Sequence, residues 1–302
     1  MSAPRRRSRP PKRNHSARTL LWLFGFLGLA VLAGWAFGGD MIGDRLGGGD
    51  NEAPAAITDE SPPVPFTIPE GLRREDVAEL IDQTFPTEDG KGAALTGEDY
   101  LAATDPGPRG RRLAGAAVPT SLEGFLFPAT YEIGTDTTAQ ILVDAQVQAY
   151  KERTAGVDYR FAAKKNLTEF DVLTIASMIE RETAIEAERS LVASVIYNRL
   201  RAGMPLGIDA TVQYAIGEWK KELTAGDLDV DSPYNTRIVS GLPPGPIASP
   251  GEAAIVAAAR PKQTDFLYYV ARNDRTGRHY FSTNADDFQA DFDRAQANGG
   301  EQ

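Results

Sequence analysis

The stretch LTIASMIERETAIEAERSLVASVIYNRL, residues 173–200, decides how this chain folds and where its chemistry can sit. It reads as two apolar-periodic helices joined by a short polar connection. At 100° per residue, Val172, Leu173, Ile175, Ala176, Met178 and Ile179 form one broad apolar arc. Glu180 and Glu182 both fall inside that arc, and Arg181 falls on the opposite side, where solvent is expected. Apolar surroundings disfavour the charged form of a carboxyl, so an inward-facing glutamate is either paired or able to hold a proton near neutral pH.

Helices are expected over 137–153, 169–183 and 186–201, the last closing on Gly203, which suits a left-handed cap. Upstream, FTIPEGLRREDVAELIDQTF (66–85) gives a short strand, a turn, and a helix with Leu72, Val77, Leu80 and Ile81 along one stripe. A short helical piece lies near Glu98–Ala103. LEGFLFPATYEI (122–133) is a compact aromatic segment. Downstream come a Pro/Gly-stiffened loop, a helix opening near Pro250, a β-hairpin across Asn273–Gly277 and a terminal helix over 284–296. Helices with a few short antiparallel strands make the fold class α+β.

Charge divides the chain. Residues 1–18 hold seven Lys/Arg and no acid, leaving 25 basic and 42 acidic residues, a net of −17, in the rest. An acidic body would be repelled by phosphate, which argues against nucleic acid as a partner. From Leu20 to Gly39 there is no charge, and about 20 apolar residues span a bilayer core as a helix. Trp22 and Trp35 sit near its ends, and the cations upstream place the N-terminus in the cytoplasm. A cleaved signal peptide is the competing reading. The run is long for one, and no small-x-small site follows. The expected organisation is a basic tail (1–18), a membrane anchor (19–39), a Gly/Pro/acidic stalk (40–65), a small βα module with its connection (66–115) and a main domain (116–302).

Cysteine is absent, which removes thiol nucleophiles, disulfides and thiolate metal sites. Only His15 and His279 exist, and His279 in a strand reads as structural. Carboxylates, hydroxyls and amides must carry the chemistry, with no cofactor and no metal. Tyr234, Asn235 and Thr236 lie in a loop that could place hydroxyls and amides on a polar ligand, though Ser-Pro and Asn also serve plain turn chemistry. Asn198, and Asp209 in the loop beyond, could orient a glutamate or its ligand, or simply cap and bond loops. Phe125, Phe127, Tyr131 and Tyr214 read as core aromatics.

Several segments together resemble the endolytic murein transglycosylases of the YceG-like family: FTIPEG (66–71), LEGFLFPATY (122–131), IASMIERET (175–183), VASVIYNRLRAGMPL (192–206), SPYNT (232–236), GLPPGPIASPG (241–251) and HYFST (279–283). The resemblance implies a LysM-like module, here shortened, before a catalytic domain that cuts murein glycan strands internally and leaves 1,6-anhydro ends. It also implies an association with the cell-wall synthesis machinery at the bacterial cytoplasmic membrane. The second glutamate of the family motif matches Glu182, which the resemblance makes the general acid and then base. Geometry alone leaves Glu180 and Glu182 open, for they stand about 200° apart on the wheel. Glu180 is the one expected to pair with an arginine, Arg189 or Arg199. Gly207 and Ala210 stand where the family pattern has a polar residue and a proline. A non-catalytic murein-binding scaffold and a two-carboxylate hydrolase are the competing functions.

Overall fold

The computed structural model describes residues 62–86, 95–105, 112–113, 116–117 and 121–299. The basic tail, the expected anchor and nearly all of the stalk lie outside them. Among the described residues no helix is long and apolar enough to cross a membrane.

Strand β1 (Val64–Thr67) leads through the Glu70–Gly71 turn into α1 (Arg74–Thr84), and α2 (Gly97–Thr104) packs beside it. A two-residue ribbon, β2 (Arg112–Leu113) with β3 (Ala116–Ala117), follows. Strand β4 (Thr130–Ile133) then pairs antiparallel with β1, Val64 opposite Ile133 and Thr67 opposite Thr130. The aromatic segment thus closes the sheet of the N-terminal unit, across the boundary expected at residue 115. Helix α2 also packs on α3 (Ala139–Thr154), where the buried Tyr100 hydroxyl donates to Gln146 Oε1 at 2.9 Å. Strand β1 and helix α1 are therefore fused to the body rather than hung from it.

After the single turn α4 (Arg160–Ala163) come α5 (Glu169–Glu182) and α6 (Glu186–Ala202), packed on each other. Thr168 and Asp171 form a reciprocal capping box at the start of α5, which satisfies two orphan backbone donors. Gly203 ends α6 with φ +64°, a conformation open to glycine at little cost. Helix α5 is not amphipathic in the molecule. From Val172 to Ile179 every residue is buried, Thr174 and Ser177 included. The Ala-rich α9 (Glu252–Ala259) covers it and α6 together. A helix buried all round has no solvent face. Arg181 accordingly does not project into solvent. Its guanidinium lies 3.9 Å from the centre of the Trp219 ring and donates to Gly71 O at 3.0 Å.

Asp209 opens a further helix, α7 (Asp209–Ile216), where the sequence suggested only loop, and α8 (Ala225–Leu228) is one turn. Strands β5 (Tyr268–Ala271) and β6 (His279–Ser282) form the expected hairpin, backed by α10 (Ala285–Gly299).

Candidate active site

Glu182 is the last residue of α5, and 5% of its surface is exposed. Burial pushes its carboxyl up to about 7, against the opposing hydrogen bond from Tyr269. Nearby charges act more weakly, Asp209 raising it and His279 and Arg237 lowering it. The Tyr269 hydroxyl donates to Oε2 at 2.8 Å. A carboxyl poised this way can give up and take back a proton at neutral pH.

Tyr269 arrives from β5, where it stands opposite Phe281 of β6 in the hairpin that α10 backs. Arg199 on α6 donates from Nε to Leu267 O at 2.7 Å and from Nη1 to Leu206 O at 2.6 Å. One buried guanidinium thereby ties the approach to β5 to the loop before α7. Asn198, its neighbour, donates from Nδ2 to Thr264 O at 2.8 Å and Phe266 O at 2.9 Å. It positions the strand that carries Tyr269 rather than bonding Glu182.

Asp209 is held by Arg237, whose Nη2 lies 2.6 Å and Nε 2.7 Å from Oδ1. Burial raises its carboxyl and Arg237 opposes that. Thr236 sets this corner: its Oγ1 accepts from Ile208 N at 3.0 Å and pairs with Thr211 Oγ1 at 2.9 Å. Asn235, fully buried, donates to Leu228 O and Val230 O. The side chains of Asn235 and Thr236 therefore hold their own loop, the turn chemistry weighed above. Tyr234 keeps partial exposure, with its ring 4.7 Å from that of Tyr214.

His279 is buried in β6, and its Nδ1 lies 2.8 Å from Glu188 Oε2. Its backbone N–H donates to the same carboxylate. Its ring meets Tyr269 edge-on at 5.6 Å. Glu180, the rival carboxylate, faces elsewhere, accepting from Arg189 at 3.4 Å and from Gly251 N at 3.0 Å. Arg189, not Arg199, is its partner.

Tyr269, Arg237, Arg199 and the Glu188–His279 pair were not legible as site residues. An aromatic in LYYVAR reads as core, and strand alternation gives its face but not what it meets. Phe125 and Phe127 are core as expected, whereas Tyr131 and Tyr214 stay half-buried.

Fold and site together define an α+β protein with a buried glutamate, able to hold a proton near neutral pH, at the end of a helix buried along its middle. Residues 49–294 match the YceG-like family, and the chain belongs to it. It is 44% identical over 156 residues to an endolytic murein transglycosylase of Bacillus subtilis (strain 168), covering 51% of this chain and 42% of that protein. It is 34% identical over 241 residues to the protein of the same name from Streptococcus pneumoniae (strain R6), covering 74% and 43%. These alignments span less than half the length of either relative. The crystal structure of a yceG-like protein from Listeria monocytogenes matches with a TM-score of 0.63 at 34% identity, over 76% of this chain and 75% of that one.

Proposed function

We propose that the protein is a membrane-anchored endolytic murein lytic transglycosylase with Glu182 as its acid and base. The carrying observation is that carboxyl: buried, pushed up to about 7, and bonded by one neutral hydroxyl. Protonated Glu182 gives its proton to the glycosidic oxygen as the bond from C1 of the N-acetylmuramic acid residue breaks. The C6 hydroxyl of that same sugar closes onto C1, and the Glu182 carboxylate takes the proton released. One bond forms where one breaks, no water enters, and the new end is a 1,6-anhydro sugar.

Two-carboxylate hydrolysis would need a second free carboxylate for the water or the sugar. Asp209 is the acid that acts on Glu182, and Arg237 already engages it. Within this reading Asp209 tunes the field at Glu182, and Tyr234, whose half-buried ring packs on Tyr214, is a sugar-binding candidate away from the acid itself. Asn198, Asn235 and Thr236 hold the walls. The two-strand, two-helix unit of β1, α1, α2 and β4 is the region we assign to the LysM-like module, and residues 19–39 to a membrane anchor that leaves the body outside the cytoplasm. Cell-wall synthases are the partners this places nearby.

The test is mass spectrometry of muropeptides released from purified murein by the full chain in detergent. The wild type is compared with Glu182→Gln and Glu180→Gln. New internal 1,6-anhydro ends, lost with Glu182→Gln and kept with Glu180→Gln, are expected. Reducing ends would make it a hydrolase, and no products with murein binding retained would make it a scaffold.

A further inference from the structure

A groove of about 790 Å³ lies between the turn after α4, one face of α6 and the segment 261–265 that leads to β5. Glu182 does not line it. Lys164, Lys165, Arg201 and Lys262 do, all exposed, against one carboxylate, Asp265. No ion pair engages any of the four among the described residues. Outside the basic tail the chain carries 42 acids and 25 bases, so a groove lined by four cations and one acid runs against the balance of the chain as a whole. Unpaired like charges gathered in a concavity repel one another, and an anionic occupant relieves that cost.

We propose that this groove binds the carboxylate-bearing peptide stems attached to murein glycan, an inference that rests on the reading of the protein as a murein enzyme. A neutral glycan has no use for four cations, whereas a stem peptide brings free carboxylates and backbone amides. The lining offers partners for both. Beyond the cations there are the side-chain amides of Asn166 and Gln263, while the Ser194 and Thr264 hydroxyls bond each other at 2.7 Å and stiffen the wall. A lipid headgroup layer would meet cations standing on a flat or convex face, but here they surround a concavity with Leu167 and Leu242 in its walls.

The groove also connects to the acid. Asn198, in its wall, donates to Thr264 O and Phe266 O, and Tyr269 follows three residues later. An extended chain covers at most roughly 10 Å in three residues. A seated peptide therefore braces the segment that carries the hydroxyl bound to Glu182, and peptide-bearing glycan becomes the better substrate.

The experiment measures binding of a murein tripeptide with free carboxylates to the full-length Glu182→Gln chain in detergent, by calorimetry at low salt. The probes run beside it are the fully amidated tripeptide, inorganic phosphate and phosphatidylglycerol vesicles. Amidation, and separately the Lys164→Glu/Lys165→Glu double variant with an unchanged melting temperature, should each weaken peptide binding about tenfold or more, which is 1.4 kcal/mol. Equal binding of the amidated peptide, or no peptide binding, overturns the proposal. Lysine-dependent binding of phosphate or vesicles in preference to the peptide overturns it in favour of a phosphate site. Cleavage of murein by wild type without peptide binding would sink the groove and leave the enzyme standing. Peptide binding without cleavage would do the reverse.

Discussion

The hydroxyl of Tyr269 donates to Glu182 Oε2 at 2.8 Å across 87 residues of sequence. This bond favours the carboxylate and so opposes the burial that keeps Glu182 protonated. Tyr269 itself is pushed well above its ordinary range by burial and by the Glu182 charge, so it stays a donor.

Removing that donor should raise the carboxyl further. The acid must start protonated, so cleavage should fall on the alkaline side with a midpoint near 7. Tyr269→Phe should move that limb to higher pH, measured as kcat/KM against pH on murein. A limb that stays put would mean the hydroxyl does not set the acid's proton affinity.

Asp209 acts with the opposite sign, since its charge raises Glu182. Asp209→Asn should move the same limb to lower pH and reduce activity at neutral pH. Opposite shifts in the two variants, at similar melting temperatures, would separate tuning from damage to the fold.

Glu180 is buried against Arg189 and its carboxyl is raised by burial. Arg189→Met leaves that acid without its cation and should cost about 3 kcal/mol in urea titration at pH 8. The loss should shrink toward acid pH, where Glu180 can take a proton. Glu180→Gln keeps an acceptor for Gly251 N and should cost less while retaining cleavage per folded molecule.

Glu123 is buried with Oε1 lacking a partner in the described structure, while Oε2 accepts from Arg74 N at 3.3 Å. Burial pushes its carboxyl up to about 8 from an ordinary 4.5. The folded state then holds a proton that the unfolded chain has lost. Its stabilising contribution is complete below 4.5 and falls as pH rises to about 8, by at most about 1.4 kcal/mol per unit. Glu123→Gln should flatten the fall in melting temperature between pH 5.5 and 8. An unchanged slope would show that another group carries it.

Gly124 has φ +82°, and a Cβ there would stand 2.5 Å from Pro246 Cβ. Gly124→Ala should destabilise by about 2 kcal/mol or more, from left-handed strain plus the clash. A thermal melt decides it.

Local signals were legible in the sequence. Helices α3, α5 and α6 lie within two residues of their expected ends, because capping threonines and Gly203 act on their own neighbours. The hairpin and the terminal helix were legible for the same reason, and so was the inward turn of both glutamates. Tertiary structure decided the rest. Arg181 lies on Trp219 because α5 is buried all round from Val172 to Ile179 and meets a second interface at its end, and periodicity cannot distinguish a polar residue in solvent from one in a second interface. Strand β4 exists because β1, more than sixty residues away, supplies its hydrogen bonds. The two glutamates, two residues apart, differ because one meets Arg189 and the other Tyr269. Proton affinity depends on what surrounds a carboxyl in space, and for Glu182 that comes from α7, β5 and β6, elements the chain brings together only on folding.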